Sequence, residues 1–197
     1  MNTVSLEQAM SLRRTCRDFE DRAVPLGTMQ RLLWAAQGVT EESGKRTAPS
    51  AHALHPLRLR LVAGNVENLA PGVYSVGEDA ARLTPVVARD VRGDIEHAAL
   101  EDQPWIGRAA GIISICADLA SACRHFAEQP PVGARGLRYV YMEAGAAAQN
   151  VQLLSTAAGL GCVLVAGFRD EATTAVLDLS PPLAPILHLC LGWPAPA

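Results

Sequence analysis

The segment LRYVYMEAGAAAQNVQLLSTAA at residues 137–158 decides the fold class of this chain. Its larger apolar residues recur every three or four positions, which predicts one long helix. The centre of that helix, residues 143–148, contains only alanine and glycine after Glu143. Small side chains let a helix approach its neighbours closely. We therefore expect this helix in a tightly packed core or in the middle of a dimer.

Shorter elements surround this helix in no regular order. Ser5 and Gln8 predict a capping box at the start of an N-terminal helix, and a second helix starts near Pro25 and stops near Gly38. Apolar patterns predict strands at residues 57–62, 71–76, 112–117, 162–168 and 184–191, with short helices within 94–109 and at 170–178. Helices and strands mix without strict alternation, which favours the α+β class over a doubly wound sheet.

The bulk properties argue against several classes of protein. With 197 residues and a hydrophobic content of 49%, the chain suits a single domain over residues 1–197, or one protomer whose core a partner completes. It contains no apolar run of about 18 residues, so we expect no membrane span. Charged residues at positions 7, 13, 14 and 17 interrupt any signal-peptide pattern. A formal net charge of −3 argues against a nucleic-acid binder.

Cysteine usage indicates the compartment. The five cysteines are an odd number without a CxxC pair, and Cys116 and Cys190 lie in apolar runs, where a reduced cysteine acts as a small hydrophobic residue. This pattern fits a reducing compartment and favours neither a disulfide scaffold nor a zinc site. We therefore expect a cytoplasmic protein without a bound metal.

The most basic stretch is RRTCR at residues 13–17, which places three guanidinium groups and a hydroxyl at the predicted end of the first helix. Guanidinium groups offer a fork of donors that matches phosphate and other planar anions. Most basic clusters are merely solvated faces, and Arg17 could instead pair with Asp18, Glu20 or Asp21 on the surface. Both interpretations stay open from these residues alone.

Three blocks of sequence, taken in order, resemble the nitroreductase superfamily of flavin mononucleotide (FMN) enzymes, specifically its SagB-type dehydrogenase branch. No single block is specific, but their order and spacing agree with the family from residue 5 to 194. The blocks are RRTCR at 13–17, similar to RRSxR; PSAHALHP at 49–56, similar to PSAGALxP; and EAGAAAQN at 143–150 with GLG at 159–161 and GF at 167–168, similar to EAGxxxQN, GLG and GF.

The resemblance implies both the fold and the chemistry. The fold would be a central, mostly antiparallel sheet surrounded by helices, in an intertwined homodimer with two flavin sites at the interface. The activity would be ping-pong hydride transfer from NAD(P)H through flavin N5 to a small electron-poor acceptor, such as a nitroaromatic compound or a quinone. The cofactor itself carries this chemistry, and the protein supplies binding and tuning.

The resemblance also assigns residues to FMN. Arg13, Arg14 and Thr15 would meet the phosphate, and Arg17 would lie near the N1–C2=O edge, where a cation stabilises the reduced ring. Gln103 would bond the pyrimidine end, or else be an ordinary surface residue. The implied cofactor-binding set is Arg13, Arg14, Thr15, Arg17, Pro49, Ser50, Ala51, His52, Gln103, Val165, Ala166 and Gly167.

The two later blocks have simpler interpretations as well. Ser50 and the backbone around it would face the cofactor, although a Pro-Ser pair also suits a plain turn. The backbone N–H near Ala166 and Gly167 would face flavin N5, since glycine allows close approach, whereas Gly159 or Gly161 could simply stop the long helix. Asn150 is expected to cap or bridge helices in the core instead of touching the cofactor.

Two departures from the family pattern bear on function. His52 stands where glycine is usual, so its Cβ would narrow the space or alter the backbone; His52 or His55 could also donate a proton to substrate, or be structural. The basic pair that many members carry after the last strand has no counterpart in GWPAPA at residues 192–197. One lost charge-assisted contact costs about 1.5–3 kcal/mol, so weaker retention of FMN is expected.

Two alternative functions remain at this point. One is an azoline or peptide-modifying dehydrogenase of the SagB branch, whose oxidases use a Lys/Tyr pair for proton removal. Lys45 is the only lysine of the chain and lies in a predicted loop, which makes that pair hard to assign. The other is a flavin-binding module without catalytic activity.

Overall fold

A computed structural model describes residues 4–196. Its helices are α1 (Leu6–Leu12), α2 (Leu26–Gln37), α3 (Arg92–Ala98), α4 (Trp105–Arg108), α5 (Leu119–His125), α6 (Arg135–Ala157) and α7 (Asp170–Val176). Its strands are β1 (Leu57–Ala63), β2 (Gly72–Val76), β3 (Leu83–Val87), β4 (Gly111–Asp118), β5 (Gly161–Val165) and β6 (Leu183–Gly192). The predicted α+β class is confirmed.

All six strands form one sheet in the order β3-β2-β1-β4-β6-β5. Each of the five pairings between neighbouring strands is antiparallel. The central strand β4 is buried along almost its whole length, because it lies between β1 and β6 with helices over both faces. The prediction of a central, mostly antiparallel sheet surrounded by helices is therefore confirmed.

The long helix α6 buries one side against the sheet and α2. Val140, Ala144, Ala147 and Val151 are fully buried there, in the same cluster as residues of β1, β4 and β6. The small side chains serve the tightly packed core that the sequence predicted. The opposite side of the same helix is exposed, and Tyr141 and Met142 next to the buried Glu143 keep 53% and 66% of their surface accessible.

The predicted start of α1 is confirmed in atomic detail. The backbone N–H of Gln8 donates to Ser5 Oγ at 3.2 Å, and the backbone N–H of Ser5 donates to Gln8 Oε1 at 2.9 Å. These reciprocal bonds satisfy two groups that a helix end leaves without partners. The cap fixes where α1 begins and therefore where residues 13–17 emerge from its far end.

The structure differs from the sequence prediction at three elements. Strand β3 was missed because it is a mostly exposed edge strand that contains Pro85, without apolar alternation. Helix α5 was missed as well, and Asp118 caps it by accepting the Ser121 N–H at 2.8 Å. Strand β5 stops at Val165 instead of residue 168, because Phe168 forms an isolated bridge with Ala99 instead of continuing the sheet.

Candidate functional site

The RRTCR segment leaves α1 and lies along the start of β5. Thr15 forms a parallel bridge with Cys162, and the Cys16 N–H donates to the Cys162 carbonyl at 3.0 Å. Gly161 makes this docking possible, since a Cβ at that position would lie 2.4 Å from the Cys16 sulfur. Gly159 has a positive φ of 75° where α6 ends, so the two glycines of GLG serve different purposes. One ends the helix and the other admits the arginine segment.

The guanidinium groups of this segment pair with no acidic side chain in the described part of the chain. Within residues 4–196, no carboxylate lies within 4.0 Å of Arg13, Arg14 or Arg17. The expected alternative of a surface ion pair for Arg17 is therefore not supported, and its guanidinium instead lies 5.1 Å from the centre of the Trp105 ring. The Arg14 guanidinium donates to the Ser11 and Arg13 carbonyls, both at 2.8 Å.

Gln103 and Gly167 meet beside Trp105. Gln103 Nε2 donates to the Gly167 carbonyl at 3.4 Å, and the Leu100 N–H donates to the same oxygen at 3.0 Å. A Cβ on Gly167 would touch the Gln103 amide at 3.9 Å, an ordinary contact distance. Val165 is buried in β5, whereas Ala166 is exposed. We call residues 13–17, Gln103, Trp105 and residues 165–167 the arginine surface.

The PSAHALHP block folds into a single 3₁₀ turn over Ala51–Ala53, anchored on α6. The Ala51 N–H donates to Glu143 Oε1 at 2.7 Å, and the His55 N–H donates to Ser50 Oγ at 2.8 Å. Glu143 is only 6% exposed, and its Oε2 has no hydrogen-bond partner. Burial raises the pKa of the Glu143 carboxyl, against the opposing effect of the bonds from Ala51 and Ser50. We call residues 49–55 the serine loop.

The anchoring role of Glu143 is missed by the sequence analysis, which treats this residue only as part of a family motif. A signal for it exists in the sequence. Glu143 is the one acidic residue within the small, apolar centre of α6, and a buried carboxylate needs hydrogen-bond donors. Which donors it meets depends on contacts across 92 residues of chain, and local pattern does not contain those contacts.

The backbone of the serine loop is strained. His52, Ala53 and His55 have φ values of 52°, 52° and 48°, in the left-handed region that favours glycine. His52 therefore has a backbone conformation that glycine would adopt with less strain. Its ring lies at the surface, with Nδ1 3.1 Å from His125 Nε2 and the ring centre 5.0 Å from that of Phe126.

Two further expectations concern the region around this loop. Asn150 Nδ2 donates to the Thr47 carbonyl at 3.0 Å. Asn150 therefore ties α6 to the segment before the serine loop and not to another helix. Lys45 pairs with Glu41 at 2.8 Å at the surface. Within residues 4–196, no hydrogen bond, ion pair or ring contact joins residues 13–17 to the serine loop.

A family model described as Nitroreductase family matches residues 10–193. The chain belongs to the nitroreductase family. It is 33% identical over 176 residues to a nitroreductase predicted from sequence in Methanocaldococcus jannaschii, covering 89% of this chain and 85% of that protein. The predicted membership is confirmed at the level of the family.

Two solved structures resemble this nitroreductase-family chain. The crystal structure of a predicted nitroreductase from Ralstonia eutropha matches with a TM-score of 0.81 and 26% identity, over 100% of this chain and 86% of that one. A chain of the Escherichia coli microcin synthetase McbBCD complex with truncated pro-MccB17 matches with a TM-score of 0.76 and 24% identity, over 93% and 70%. The second match demonstrates the shared fold alone.

Among the helices within residues 4–196, none combines the length and the apolar character needed to cross a membrane.

Proposed function

We propose that this protein is an FMN-dependent oxidoreductase that passes hydride from NAD(P)H to a small electron-poor acceptor of the nitroaromatic or quinone type. The observation that carries the proposal is the arginine surface, where three guanidinium groups lie in one segment with Thr15 and pair with no acidic group among residues 4–196. Such groups suit a phosphate, which offers bidentate charge-assisted bonds. The donor set of this chain therefore fits a phosphate-bearing cofactor.

The proposed roles are those that the family resemblance implies for these residues. Arg13, Arg14 and Thr15 would hold the phosphate. Arg17, held against Trp105, would place a fixed positive charge beside the ring system. Residues 165–167 would offer backbone groups to the ring, and Gln103 keeps Gly167 in place through its carbonyl. Bound FMN would supply the hydride chemistry at N5, in a ping-pong cycle between donor and acceptor.

We further propose a homodimer in which the serine loop of one protomer completes the arginine surface of its partner. Among residues 4–196 of one chain, no bond joins these two regions directly, although the family resemblance assigns both to one cofactor. Two helices expose apolar side chains that could form the interface. These are Tyr141 and Met142 on α6, and Leu6, Met10 and Leu12 on α1. In this arrangement Pro49, Ser50, Ala51 and His52 would approach the cofactor from the partner.

The proposal predicts a simple spectroscopic result. Purified protein supplied with FMN should retain absorbance near ~450 nm, lose it on anaerobic addition of NADH or NADPH, and recover it when a quinone or nitroaromatic acceptor is added. The variant R17A should slow the reduction. Its matched control is R22A, because the Arg22 guanidinium also lies over a tryptophan, 4.1 Å from the Trp193 ring centre, and belongs to neither region.

Other outcomes of this experiment identify the alternatives. Tight FMN binding without bleaching by any nicotinamide would favour the non-catalytic module. Bound FMN that accepts electrons only from an azoline-containing peptide would favour the SagB-type reading, although Lys45, paired with Glu41 at the surface, does not suit that branch's Lys/Tyr pair. A monomer at micromolar concentration, by sedimentation, would contradict the shared site. A cytoplasmic location, proposed from cysteine usage, is tested by cell fractionation.

A further inference from the structure

One histidine of the serine loop pairs with a histidine at the end of α5. His52 Nδ1 lies 3.1 Å from His125 Nε2, with the ring planes 80° apart and the ring centres 5.3 Å apart. Both residues are exposed. His52 belongs to the loop and His125 ends α5, so two separate elements bring one ring nitrogen each to within 3.1 Å of the other.

Contacts with neighbouring residues position both histidines. The His125 ring lies 4.6 Å from the buried Phe126 ring, and the Phe126 ring lies 4.7 Å from that of Tyr139 on α6. On the other side, the Ala51 N–H bond to Glu143 fixes the loop immediately before His52. The two imidazoles are therefore positioned by the fold before any ligand arrives, which lowers the entropy cost of binding one.

The separation of the two nitrogens suits a metal ion. Zinc binds imidazole nitrogen at about 2.0–2.1 Å, so two neighbouring nitrogens on one ion lie about 3.0–3.4 Å apart. Imidazole prefers zinc, copper and nickel, whereas magnesium and calcium prefer oxygen. We propose that His52 and His125 together bind a divalent transition-metal ion of the zinc class, through Nδ1 and Nε2 respectively.

The remaining coordination positions would belong to solvent. Within residues 4–196, no group of three or more His, Cys, Asp or Glu side chains is placed to hold a metal. Two protein ligands leave the ion open to water, which distinguishes the site from the closed four-ligand sites of structural zinc. Occupation would join the serine loop to α5 and so restrict the movement of the loop.

The simpler interpretation is a direct N–H···N hydrogen bond with no affinity for metal. The two interpretations differ in one measurable property. A hydrogen-bonded pair needs a proton between the two nitrogens, whereas the metal site needs both facing nitrogens without one and both hydrogens on the outer nitrogens. Zinc should therefore change the signals of these two rings before those of any other histidine.

The test is a titration of the metal-free purified protein with zinc chloride by calorimetry, with magnesium chloride in parallel. We expect one zinc ion per chain and no binding of magnesium. The variants H52N and H125N should each weaken zinc binding by at least about tenfold. Asparagine suits position 52 because it tolerates the left-handed backbone. The matched control is H97N, since His97 is exposed on α3 and belongs to no such pair.

Two controls protect this test from trivial outcomes. Circular dichroism of each variant verifies the fold, and because His125 is exposed at a helix end, H125N alone suffices if H52N disturbs the loop. Imidazole nitrogen spectra should show zinc shifting the signals of His52 and His125 first. Equal zinc affinity in wild type and H125N, no zinc binding by the wild type, or a first shift at His97 would each overturn the proposal.

Discussion

The arginine surface and the serine loop reach their conformations by opposite means. The arginine surface is open: Arg14 and Arg17 are exposed, no acidic group described within residues 4–196 pairs with its arginines, and Gly161 admits close approach. The serine loop is closed upon itself, with its polar groups bound to a buried carboxylate and its backbone held in the left-handed region. The comparison teaches that the first region offers unneutralised positive charge, whereas the second has a backbone conformation fixed by its own hydrogen bonds.

Each region is supported by one buried ionisable side chain. Lowering the pH should change the stability that these two side chains contribute in opposite directions. His188 on β6 supports the arginine surface, with its ring 4.5 Å from that of Phe168 and its Nδ1 2.9 Å from Ser114 Oγ. Glu143 supports the serine loop. Burial lowers the pKa of His188 to about 4 and raises the pKa of Glu143.

The largest predicted effect concerns His188. Its folded pKa of about 4 lies below the ordinary value of 6.5, so the unfolded chain binds more protons between these values. Stability contributed by His188 is therefore present above pH 6.5 and is lost as the pH falls toward 4, by about 3 kcal/mol in total. Urea unfolding at a series of pH values measures this slope. The double variant S114A/H188L should flatten it, whereas H97N should leave it unchanged.

The next effect in size tests the open character of the arginine surface. R13A removes a guanidinium that makes no hydrogen bond within residues 4–196, so FMN affinity should fall by about 1.5–3 kcal/mol, or roughly ten- to a hundredfold in Kd. R14A should cost less, because the Arg14 guanidinium already donates to two carbonyls. Fluorescence titration with FMN measures both. An equal loss in R22A would mean that net charge alone governs affinity.

The sequence predicted some features of the two regions and missed others. The capping box located the start of α1. The family resemblance assigns residues 13–17, the serine loop and residues 165–167 to one cofactor site, and that assignment stays a prediction. The sequence did not reveal that Glu143 holds Ala51 or that Trp105 lies under Arg17, since both contacts join residues far apart in the chain. It also missed β3, because an exposed edge strand needs no apolar alternation.

A smaller loss of stability is expected when Glu143, which anchors the serine loop, is replaced. E143A leaves the Ala51 N–H without its partner and should lower the free energy of unfolding by about 1–3 kcal/mol. E143Q keeps an oxygen acceptor and should lose less. The raised folded pKa of Glu143 means that its contribution is complete below pH about 4.5 and declines as the pH rises through the folded value, a decline that E143Q should abolish. Equal free energies of unfolding for E143A and wild type would contradict the role of Glu143 as the anchor of the serine loop.

The smallest effect separates backbone strain from side-chain packing within the serine loop. Ala53 and His52 share a φ of 52°, but only His52 has ring contacts with His125 and Phe126. A53G relieves a strain of about 1 kcal/mol, partly offset by the greater freedom of glycine in the unfolded chain, so it should raise the melting temperature slightly. H52G relieves the same strain and loses the ring contacts, so it should melt below A53G. Equal melting temperatures of A53G and H52G would mean that the ring contacts of His52 contribute no stability to the loop.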